Sequence, residues 1–270
     1  MNRVRACILT YHSLDPSGSV VSIRPEVFRE QMRFLAETGV PVVPLYAVRN
    51  TSGAVALTFD DGFRNFLTHA FPVLQLYGFP ATVFVVSAFC GRRNDWPSQP
   101  RNSGIPTAEL LHWREVEEVS KAGIDIGSHT VTHPRMGLLS AMEVEKELSE
   151  SRAAIEDRTG KPVRTFAYPY GESTVSVRAA VQRHFEWACG TRLAYLSPVS
   201  DSVNLPRIDM YYFQKRFWFQ GLQFLHGQAY LGVRGILRSL RRQTMEYSAT
   251  VANGIIGAPG KPLVPPPKRM

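Results

Sequence analysis

The chain has 270 residues, 44% of them hydrophobic, which is enough to bury one large core. Its formal net charge of +8 comes from the residues after Tyr211, which hold nine cations and one anion, so the first 210 residues are formally neutral. This distribution argues against a nucleic-acid groove in the main part of the chain. Three widely spaced cysteines argue against a disulfide framework and favour reduced, mostly buried thiols.

The N-terminal residues give an expectation about location. The apolar run after Arg5 is too short for the core of a signal peptide, and no apolar run of about 18 residues occurs anywhere in the chain. We therefore expect a cytoplasmic protein.

Short apolar runs rich in β-branched and aromatic residues alternate with helical patterns, which is typical of a parallel sheet with crossover helices. The predicted strands are Cys7–Tyr11, Val42–Leu45, Val55–Phe59, Thr82–Val86, Asp125–Ser128, Thr165–Ala167, Trp187–Gly190 and Asn204–Ile208. The predicted helices are Pro25–Thr38, Asn65–Tyr77, Trp113–Ala122, Ala141–Arg158 and Thr174–His184. At this length, such an alternation favours a single α/β barrel domain.

Polar motifs follow several of these predicted strands. They are Asp60-Asp61-Gly62, His129 to His133, Tyr168-Pro169-Tyr170-Gly171, and His12 after the first strand. In a parallel barrel these positions gather at the C-terminal rim, where barrel active sites are built. The proline-rich segment Gly91–His112 is predicted to be a long loop that forms a wall beside this rim.

The residue types at this rim predict a metal site. Two imidazoles and one carboxylate can hold a divalent ion with open positions for water and substrate, and a second carboxylate can take a proton from that water. Zinc is the natural choice, although cobalt, nickel or manganese fit the same ligands. Taken alone, Asp-Asp-Gly is also typical of a solvated turn, and His-x-x-x-His of two surface histidines. Because Pro134 disfavours helix at His133, we expect a loop to hold both rings.

Three ordered motifs carry a family resemblance. Thr58–Gly62, Ser128–Pro134 and Phe166–Gly171 resemble the first three motifs of the polysaccharide deacetylases, the NodB-homology domain enzymes of carbohydrate esterase family 4. The resemblance covers about residues 5–210. It implies a distorted (β/α)7 barrel, in agreement with the strand and helix pattern. It also implies the removal of acetyl groups from N-acetylated, and sometimes O-acetylated, sugars.

Carried over by position, the resemblance implies that Asp61, His129 and His133 bind the metal and that Asp60 is the general base. A carboxylate that binds a dication no longer accepts a proton readily, which supports this division between the two aspartates. Adjacent side chains on a regular strand point to opposite faces, so we expect a turn at Gly62 to bring both carboxylates to the rim.

The third motif departs from the family pattern, because Ala167 stands where many members have an arginine that orients the base. The motif resembles instead the branch of bacterial exopolysaccharide deacetylases, such as those acting on poly-N-acetylglucosamine. That resemblance implies that the backbone N–H of Tyr170 contributes to oxyanion binding. The family's late Leu-x-His motif, which usually supplies the general acid, has no clear counterpart in this chain. The resemblance to this branch implies that His12, at the end of the first strand, protonates the departing amine instead. His226 is the alternative acid.

Two charged residues close the last predicted strand. We hypothesise that Arg207 takes the place of the missing arginine beside Asp60 and that Asp209 orients His12. A purely structural salt bridge between neighbouring elements is the alternative for each. Trp113 and Trp187 are candidates to line a sugar pocket, or else to pack in the core.

The C-terminal part divides into two predicted regions after the barrel of residues 1–210. Residues 211–248 are predicted to be a basic amphipathic helical extension, and residues 249–270 a Pro/Gly-rich disordered tail. Leu222, Leu225, Ala229, Val233, Ile236 and Leu240 follow helical spacing. Such a helix either lies on an anionic membrane surface or packs its apolar stripe on the barrel.

The function expected from these features is metal-dependent N-deacetylation of a sugar in a glycan, glycolipid or exopolysaccharide precursor, with release of acetate. The expected partners are an N-acetylated sugar, soluble or lipid-linked, and the inner membrane surface through the basic C-terminal segment. Nucleic acid is not expected. Two alternatives remain: an amidohydrolase of small non-sugar amides, and a non-catalytic glycan-binding relative. The second is weakened because Asp60, Asp61, His129 and His133 are all present.

Overall fold

A computed structural model describes residues 5–100, 103–222 and 227–237 of the chain. The strands are β1 (Cys7–Tyr11), β2 (Ser13–Leu14), β3 (Ser22–Ile23), β4 (Val55–Phe59), β5 (Thr82–Val85), β6 (Asp125–Ser128), β7 (Thr165–Ala167), β8 (Trp187–Leu193) and β9 (Leu205–Asp209). The α-helices are α1 (Pro25–Glu37), α2 (Phe71–Tyr77), α3 (Trp113–Lys121), α4 (Ala141–Thr159), α5 (Val175–His184) and α6 (Arg216–Gly221), followed by a further helix at 227–237.

Seven of the described strands form a closed parallel barrel in the order β1-β4-β5-β6-β7-β8-β9, and β9 pairs back with β1. The short strands β2 and β3 pair separately. Helices α1 to α5 lie between successive barrel strands along the chain, as the alternating sequence pattern predicts. The predicted (β/α)7 barrel is confirmed.

The barrel interior is apolar at one end and polar at the other. Ile8, Ala56 and Leu205 belong to one buried cluster, to which Phe84, Ala167 and Cys189 also contribute. Because strand side chains alternate between two faces, the positions that follow at intervals of two point the same way. Thr58 follows Ala56 on this face, and its hydroxyl donates to the Leu9 carbonyl at 3.0 Å. The interior thus becomes polar towards the carboxyl ends of the strands.

Local signals explain most helix boundaries. Ser140 and Glu143 form a capping box at the start of α4, and Gly160 ends the helix in the left-handed conformation at φ 65°. The predicted helix over Asn65–Tyr77 differs: a π-helical turn spans Phe66–Ala70, and α2 starts at Phe71. Pro72, at the second position of α2, has no N–H to donate to the preceding turn, so the helix changes its hydrogen-bonding pattern there.

The prediction of a strand over Val42–Leu45 is wrong. Val42 makes a single bridge to Val55, and Leu45 begins a 3₁₀ helix that ends at Ala47. Pro41 precedes the predicted strand and Pro44 lies within it, and both lack the N–H that a continuous strand pairing requires. The first crossover therefore reaches β4 without an additional strand.

The segment after β5 lies over the rim of the barrel. Arg93 bridges Glu109, and Leu110 bridges Phe63 in antiparallel pairing. A small buried cluster of Phe63, Val86, Phe89, Trp96 and Leu110 holds the segment against the barrel. The predicted rim wall is therefore an anchored structure.

The C-terminal residues lie against the outside of the barrel as far as the structure describes them. Leu222 and Leu231 are buried, whereas Val233, Ile236 and Leu237 are exposed. The division at residues 210 and 248 stays a prediction, and the predicted tail at 249–270 lies outside the described residues. Among the described residues, no helix has the length and apolar character needed to cross a membrane.

Candidate metal centre

The two aspartates reach the rim through a tight turn at the end of β4. Asp60 continues the polar inner face of the strand, after Ala56 and Thr58. Asp61 and Gly62 both adopt the left-handed conformation at φ 70°. A Cβ at Gly62 would lie 3.2 Å from a methyl group of Val85, so the position has little room for a side chain. The turn therefore begins one residue earlier than Gly62 alone predicts, and it brings both carboxylates to one site.

The two histidines lie on a loop after β6, as Pro134 predicts. Thr130 and His133 have positive φ values of 71° and 56°. The Thr130 hydroxyl oxygen accepts a hydrogen bond from the His133 backbone N–H at 2.9 Å, which closes the loop. Non-glycine residues rarely adopt this conformation, and they do so where the surrounding structure holds them in place. All four non-glycine residues with positive φ in the described chain belong to the three motifs: Asp61, Thr130, His133 and Tyr170.

A carboxylate from α4 holds this histidine loop from outside. Glu147 accepts hydrogen bonds from the backbone N–H groups of Val131 at 2.7 Å and Thr132 at 3.0 Å, and from the Thr132 hydroxyl at 2.7 Å. Two oxygens of one side chain thus satisfy three donors of the loop. Glu147 was not predicted, because no local sequence signal connects a helix residue to a particular loop.

Asp61, His129 and His133 meet with the geometry of a three-ligand site. Asp61 Oδ1 lies 3.3 Å from His129 Nε2 and 3.5 Å from His133 Nε2. One potential ligand atom of each residue lies within 4.8 Å of the others, and all three side chains are buried. His129 Nδ1 lies 2.7 Å from the Ala167 carbonyl oxygen, a bond that places a proton on Nδ1 and leaves Nε2 as the ring atom that faces Asp61. The residues present therefore fit a divalent ion.

The protonation of the cluster supports the same conclusion. Burial raises the pKa of Asp61, but the hydrogen bond from His129 and the neighbouring imidazoles outweigh it and hold the pKa below its ordinary value. Burial, with the charge of His129, lowers the pKa of His133 to about 3. The cluster thus presents an ionised carboxylate and an unprotonated imidazole. His133 Nδ1 is buried without a hydrogen-bond partner among the described residues, so this ring makes its polar contacts through Nε2.

Asp60 lies beside this cluster and is bound by Arg207. The guanidinium donates from Nη1 to Oδ1 at 2.7 Å and from Nη2 to Oδ2 at 2.6 Å. It also donates to the Gly190 carbonyl at 3.0 Å and the Thr58 hydroxyl at 3.3 Å. Burial raises the pKa of Asp60, but the charge and hydrogen bonds of Arg207 outweigh it and hold the pKa well below its ordinary value. Asp60 is therefore ionised and fixed in orientation.

Arg207 thus lies where the sequence hypothesis places it. Ala167 itself is buried on β7, and its carbonyl takes part in the site through His129. The missing arginine at Ala167 therefore leaves no gap beside Asp60, because β9 supplies a guanidinium on the far side of β1.

His12 also reaches the site. Its Nε2 atom lies 3.7 Å from Asp60 Oδ2, and its side chain is more exposed than those of the two aspartates and the two other histidines. Asp209 pairs with Thr10 at the end of β9, and its side chain accepts a hydrogen bond from the Tyr211 backbone N–H at 3.0 Å. The role of Asp209 towards His12 stays a prediction. His226, the alternative acid, lies outside the described residues.

Tyr170 and the rim wall enclose His133. The Tyr170 ring packs edge-on against His133 with centroids 4.8 Å apart, and its hydroxyl lies 2.9 Å from Ser98 Oγ. Ser98 also donates to the His133 carbonyl, and Trp96 stacks on the His133 ring at 4.2 Å. Tyr170 adopts φ 57°, and a Cβ at Gly171 would overlap the Thr191 side chain. The oxyanion role of the Tyr170 amide stays a prediction.

The aromatic residues predicted for the pocket lie elsewhere. Trp187 begins β8, at the end of the barrel opposite the site, where Arg49 lies 5.8 Å from its ring. Trp113 begins α3 and packs against the core with Arg158 over its ring. The tryptophan at the site is Trp96, which the sequence places in the rim wall but without a periodic pattern that would single it out.

The chain matches the family model described as polysaccharide deacetylase over residues 47–185, a range that contains β4 to α5 and the three motifs. The chain belongs to the polysaccharide deacetylase family. The independent geometry of the site agrees with the motifs that carry the resemblance.

Two curated relatives of this chain show the range of similarity. YxkH of Bacillus subtilis, named as a polysaccharide deacetylase, is 24% identical over 184 residues, which cover 65% of this chain and 60% of the relative. The poly-β-1,6-N-acetyl-D-glucosamine N-deacetylase of Escherichia coli K12 is 27% identical over 134 residues, covering 45% of this chain and 20% of the relative. The chain thus spans three fifths or less of the length of these two proteins.

Solved structures share the barrel of this chain. IcaB from Ammonifex degensii superposes with a TM-score of 0.68 at 23% identity, covering 81% of this chain and 95% of IcaB. The Streptococcus pyogenes deacetylase PplD superposes with a TM-score of 0.65 at 21% identity, covering 77% of this chain and 93% of PplD. At these identities the similarity establishes the fold.

Proposed function

We propose that this protein is a metal-dependent hydrolase that removes the N-acetyl group from an N-acetylated sugar and releases acetate. The observation that carries the proposal is the position of Asp60, ionised and held by two hydrogen bonds from Arg207, next to the cluster of Asp61, His129 and His133. A non-catalytic glycan-binding protein has no need for a buried base beside a three-ligand site.

Asp61, His129 and His133 are the residues that would hold the metal, and zinc suits two imidazoles and one carboxylate best, although cobalt, nickel and manganese fit the same donors. A divalent ion bound there acts as a Lewis acid that polarises the acetyl carbonyl and lowers the pKa of water. Since the three ligand side chains are buried, the surrounding protein keeps bulk water away from them.

The chain's own residues supply the proton transfers. Asp60 accepts a proton from the attacking water, since each of its oxygens keeps a lone pair after bonding Arg207. Arg207 keeps this carboxylate ionised and aligned. His12, beside Asp60 on the more open side of the site, donates a proton to the amine as the C–N bond breaks. The backbone N–H of Tyr170 binds the carbonyl oxygen as negative charge develops on it.

The substrate class rests on the family and on the names of relatives. The Escherichia coli relative is named for poly-β-1,6-N-acetyl-D-glucosamine. We propose that this chain acts on an acetylated amino sugar within a glycan, glycolipid or exopolysaccharide precursor, soluble or lipid-linked, in the cytoplasm. The wall formed by Trp96 and Ser98 gives the site one closed side, so the sugar approaches from the side of His12.

The test is an acetate-release assay on the full chain, first stripped of metal and then supplied with zinc, cobalt, nickel or manganese. Substrates are N-acetylglucosamine oligomers, poly-N-acetylglucosamine, lipid-linked N-acetyl sugars and small cyclic amides. We expect acetate from at least one sugar, only with metal, and a loss of about 10²- to 10⁴-fold in kcat for Asp60→Asn. The variant is expected to bind metal as the wild type does.

Two results would contradict the proposal. Hydrolysis of cyclic amides with no acetate from any sugar would favour the non-sugar amidohydrolase. Full activity of a metal-loaded Asp60→Asn protein would remove Asp60 as the base.

A further inference from the structure

The C-terminal segment that follows the barrel has an unusual charge pattern. Between Asp209 and Glu246 the sequence contains six cations and no anion. Three of these cations, Lys215, Arg216 and Arg234, lie in the described residues, and the other three, at 238, 241 and 242, lie outside them. A segment of this kind attracts an anionic surface.

The helix at 227–237 is fixed against the barrel by one of its faces. The Tyr230 ring stacks on Trp218 of α6 at 4.2 Å, and its hydroxyl donates to the Tyr212 carbonyl at 3.1 Å. Leu231 is buried in the main core. Arg234 donates from Nε to the Tyr230 hydroxyl at 2.9 Å, and its guanidinium lies 5.2 Å from the Tyr212 ring. These contacts set which side of the helix faces outwards.

The outward side of this helix is aliphatic. Val233, Ile236 and Leu237 are 57%, 64% and 52% exposed, and their spacing of three and four residues places them on one face. Of the predicted apolar stripe, Val233 and Ile236 are therefore exposed, whereas Leu222 is buried. The face that packs carries Tyr230, Leu231 and Arg234 instead, because the aromatic rings of α6 and its preceding turn stack with Tyr230.

We propose that the outward face of the 227–237 helix docks the protein on the surface of an anionic lipid bilayer. Exposed aliphatic side chains enter the boundary between headgroups and acyl chains, and the excess of Arg and Lys in this part of the sequence attracts anionic headgroups. A nucleic acid would use the cations but leave the aliphatic row in water. A second copy of the chain would bring two cationic segments together. An anionic bilayer satisfies both features.

Flotation of the full chain with vesicles tests this proposal. Vesicles of phosphatidylcholine alone are compared with vesicles that also contain phosphatidylglycerol. We expect wild-type binding to be at least about tenfold tighter to the anionic vesicles and to weaken with added salt. The double variant Ile236→Ser with Leu237→Ser should lose at least about tenfold in affinity. The double variant Leu76→Ser with Val199→Ser is the matched control, since these residues are also highly exposed, and it should bind normally.

Three outcomes would overturn the proposal. The first is equal binding to neutral and anionic vesicles, and the second is equal binding by the Ile236→Ser, Leu237→Ser variant and the wild type. The third is a dimer in solution that this variant converts to a monomer, with no vesicle binding by either protein. Circular dichroism and thermal unfolding show that each variant is folded. Vesicle binding needs no turnover, so a protein that binds vesicles but releases no acetate would contradict the proposed function alone.

Discussion

Arg207 and Asp60 form a buried bidentate ion pair that joins β9 to the end of β4 across the intervening strand β1. Both side chains are almost fully buried, so the pair is shielded from water. A buried pair of this kind is strongly destabilising to break, since one charge is then left without a partner. The pair therefore joins the stability of the barrel to the protonation of the base.

Replacing Arg207 with Met should move the acid limb of the pH–rate profile to higher pH. In the wild type, the guanidinium keeps the pKa of Asp60 well below its ordinary value, so the base is ionised across the neutral range. Without it, burial raises the pKa of Asp60, and at any given pH a smaller fraction of the base is ionised. The measurement is kcat/KM against pH. Arg207→Lys, which keeps the charge, should shift the acid limb less than Arg207→Met does. If the acid limbs of Arg207→Met and the wild type coincide, the ion pair has a purely structural role.

The same substitution should lower the free energy of unfolding by about 3–5 kcal/mol at neutral pH. The sign of its pH dependence follows from the pKa of Asp60. In the wild type the lowered pKa gives stability that is present above the unfolded-state pKa and is lost as pH falls through the folded-state value. In Arg207→Met the Asp60 carboxyl instead takes a proton at higher pH, which removes the cost of burying a carboxylate without a partner. Urea titrations of the metal-free wild type and Arg207→Met should therefore show that the difference in their free energies of unfolding becomes smaller as pH falls. A difference that does not change with pH would contradict the link between stability and the protonation of Asp60.

Glu147→Gln should weaken metal binding although it changes none of the three proposed metal ligands. The carboxylate accepts three hydrogen bonds from the loop that carries His129 and His133, whereas an amide offers one acceptor oxygen and turns its NH₂ group towards donors. Losses of about 10- to 100-fold in metal affinity are typical for residues that orient ligands. Calorimetric titration with zinc measures the loss. Glu150→Gln, an exposed position on the same helix, is the control, and equal affinities for the two variants would mean that the loop does not need Glu147.

The fold could be predicted largely from the sequence because the barrel strands are continuous apolar runs. β1 and β4 are buried at every position, which is typical of parallel strands covered on both sides, and their bounds were predicted to the residue. The same reasoning failed at Val42–Leu45, where apolar composition favours a strand but Pro41 before it and Pro44 within it prevent regular pairing. Composition alone does not distinguish a strand from an extended connection.

The site could be predicted only in part, because some of its residues act through contacts between elements that are distant in the sequence. The motif residues were recognisable because they follow predicted strands, and parallel topology gathers strand ends at one rim. Glu147 on α4 contacts the histidine loop, and Trp96 in the rim wall stacks on His133. No local sequence pattern predicts contacts of this kind. Arg207 could be proposed because it is one of two charged residues that close the last predicted strand.

Metal affinity should fall as pH falls through the mildly acidic range. Burial lowers the pKa of His129, but the hydrogen bond to Asp61 and the two nearby carboxylates outweigh it and raise the pKa above its ordinary value. A proton therefore competes for the ring at a higher pH than it would for a free imidazole. Zinc titrations at decreasing pH measure this competition. His69→Ala, which lies outside the three motifs, should show the same pH dependence as the wild type, and an affinity that is independent of pH would contradict the prediction.

His12→Gln should impair amide hydrolysis far more than ester hydrolysis. An amine leaves only after it gains a proton, whereas an aryl acetate releases a phenolate that needs none, so an acid beside the leaving group matters for the amide alone. His12 is the imidazole next to Asp60 that is not part of the three-ligand cluster. We expect kcat for an N-acetyl sugar to fall about 10²- to 10⁴-fold and that for an aryl acetate to fall less than about tenfold, at unchanged zinc affinity. Equal losses on both substrates would instead give His12 a role in orienting Asp60, since that base serves both reactions.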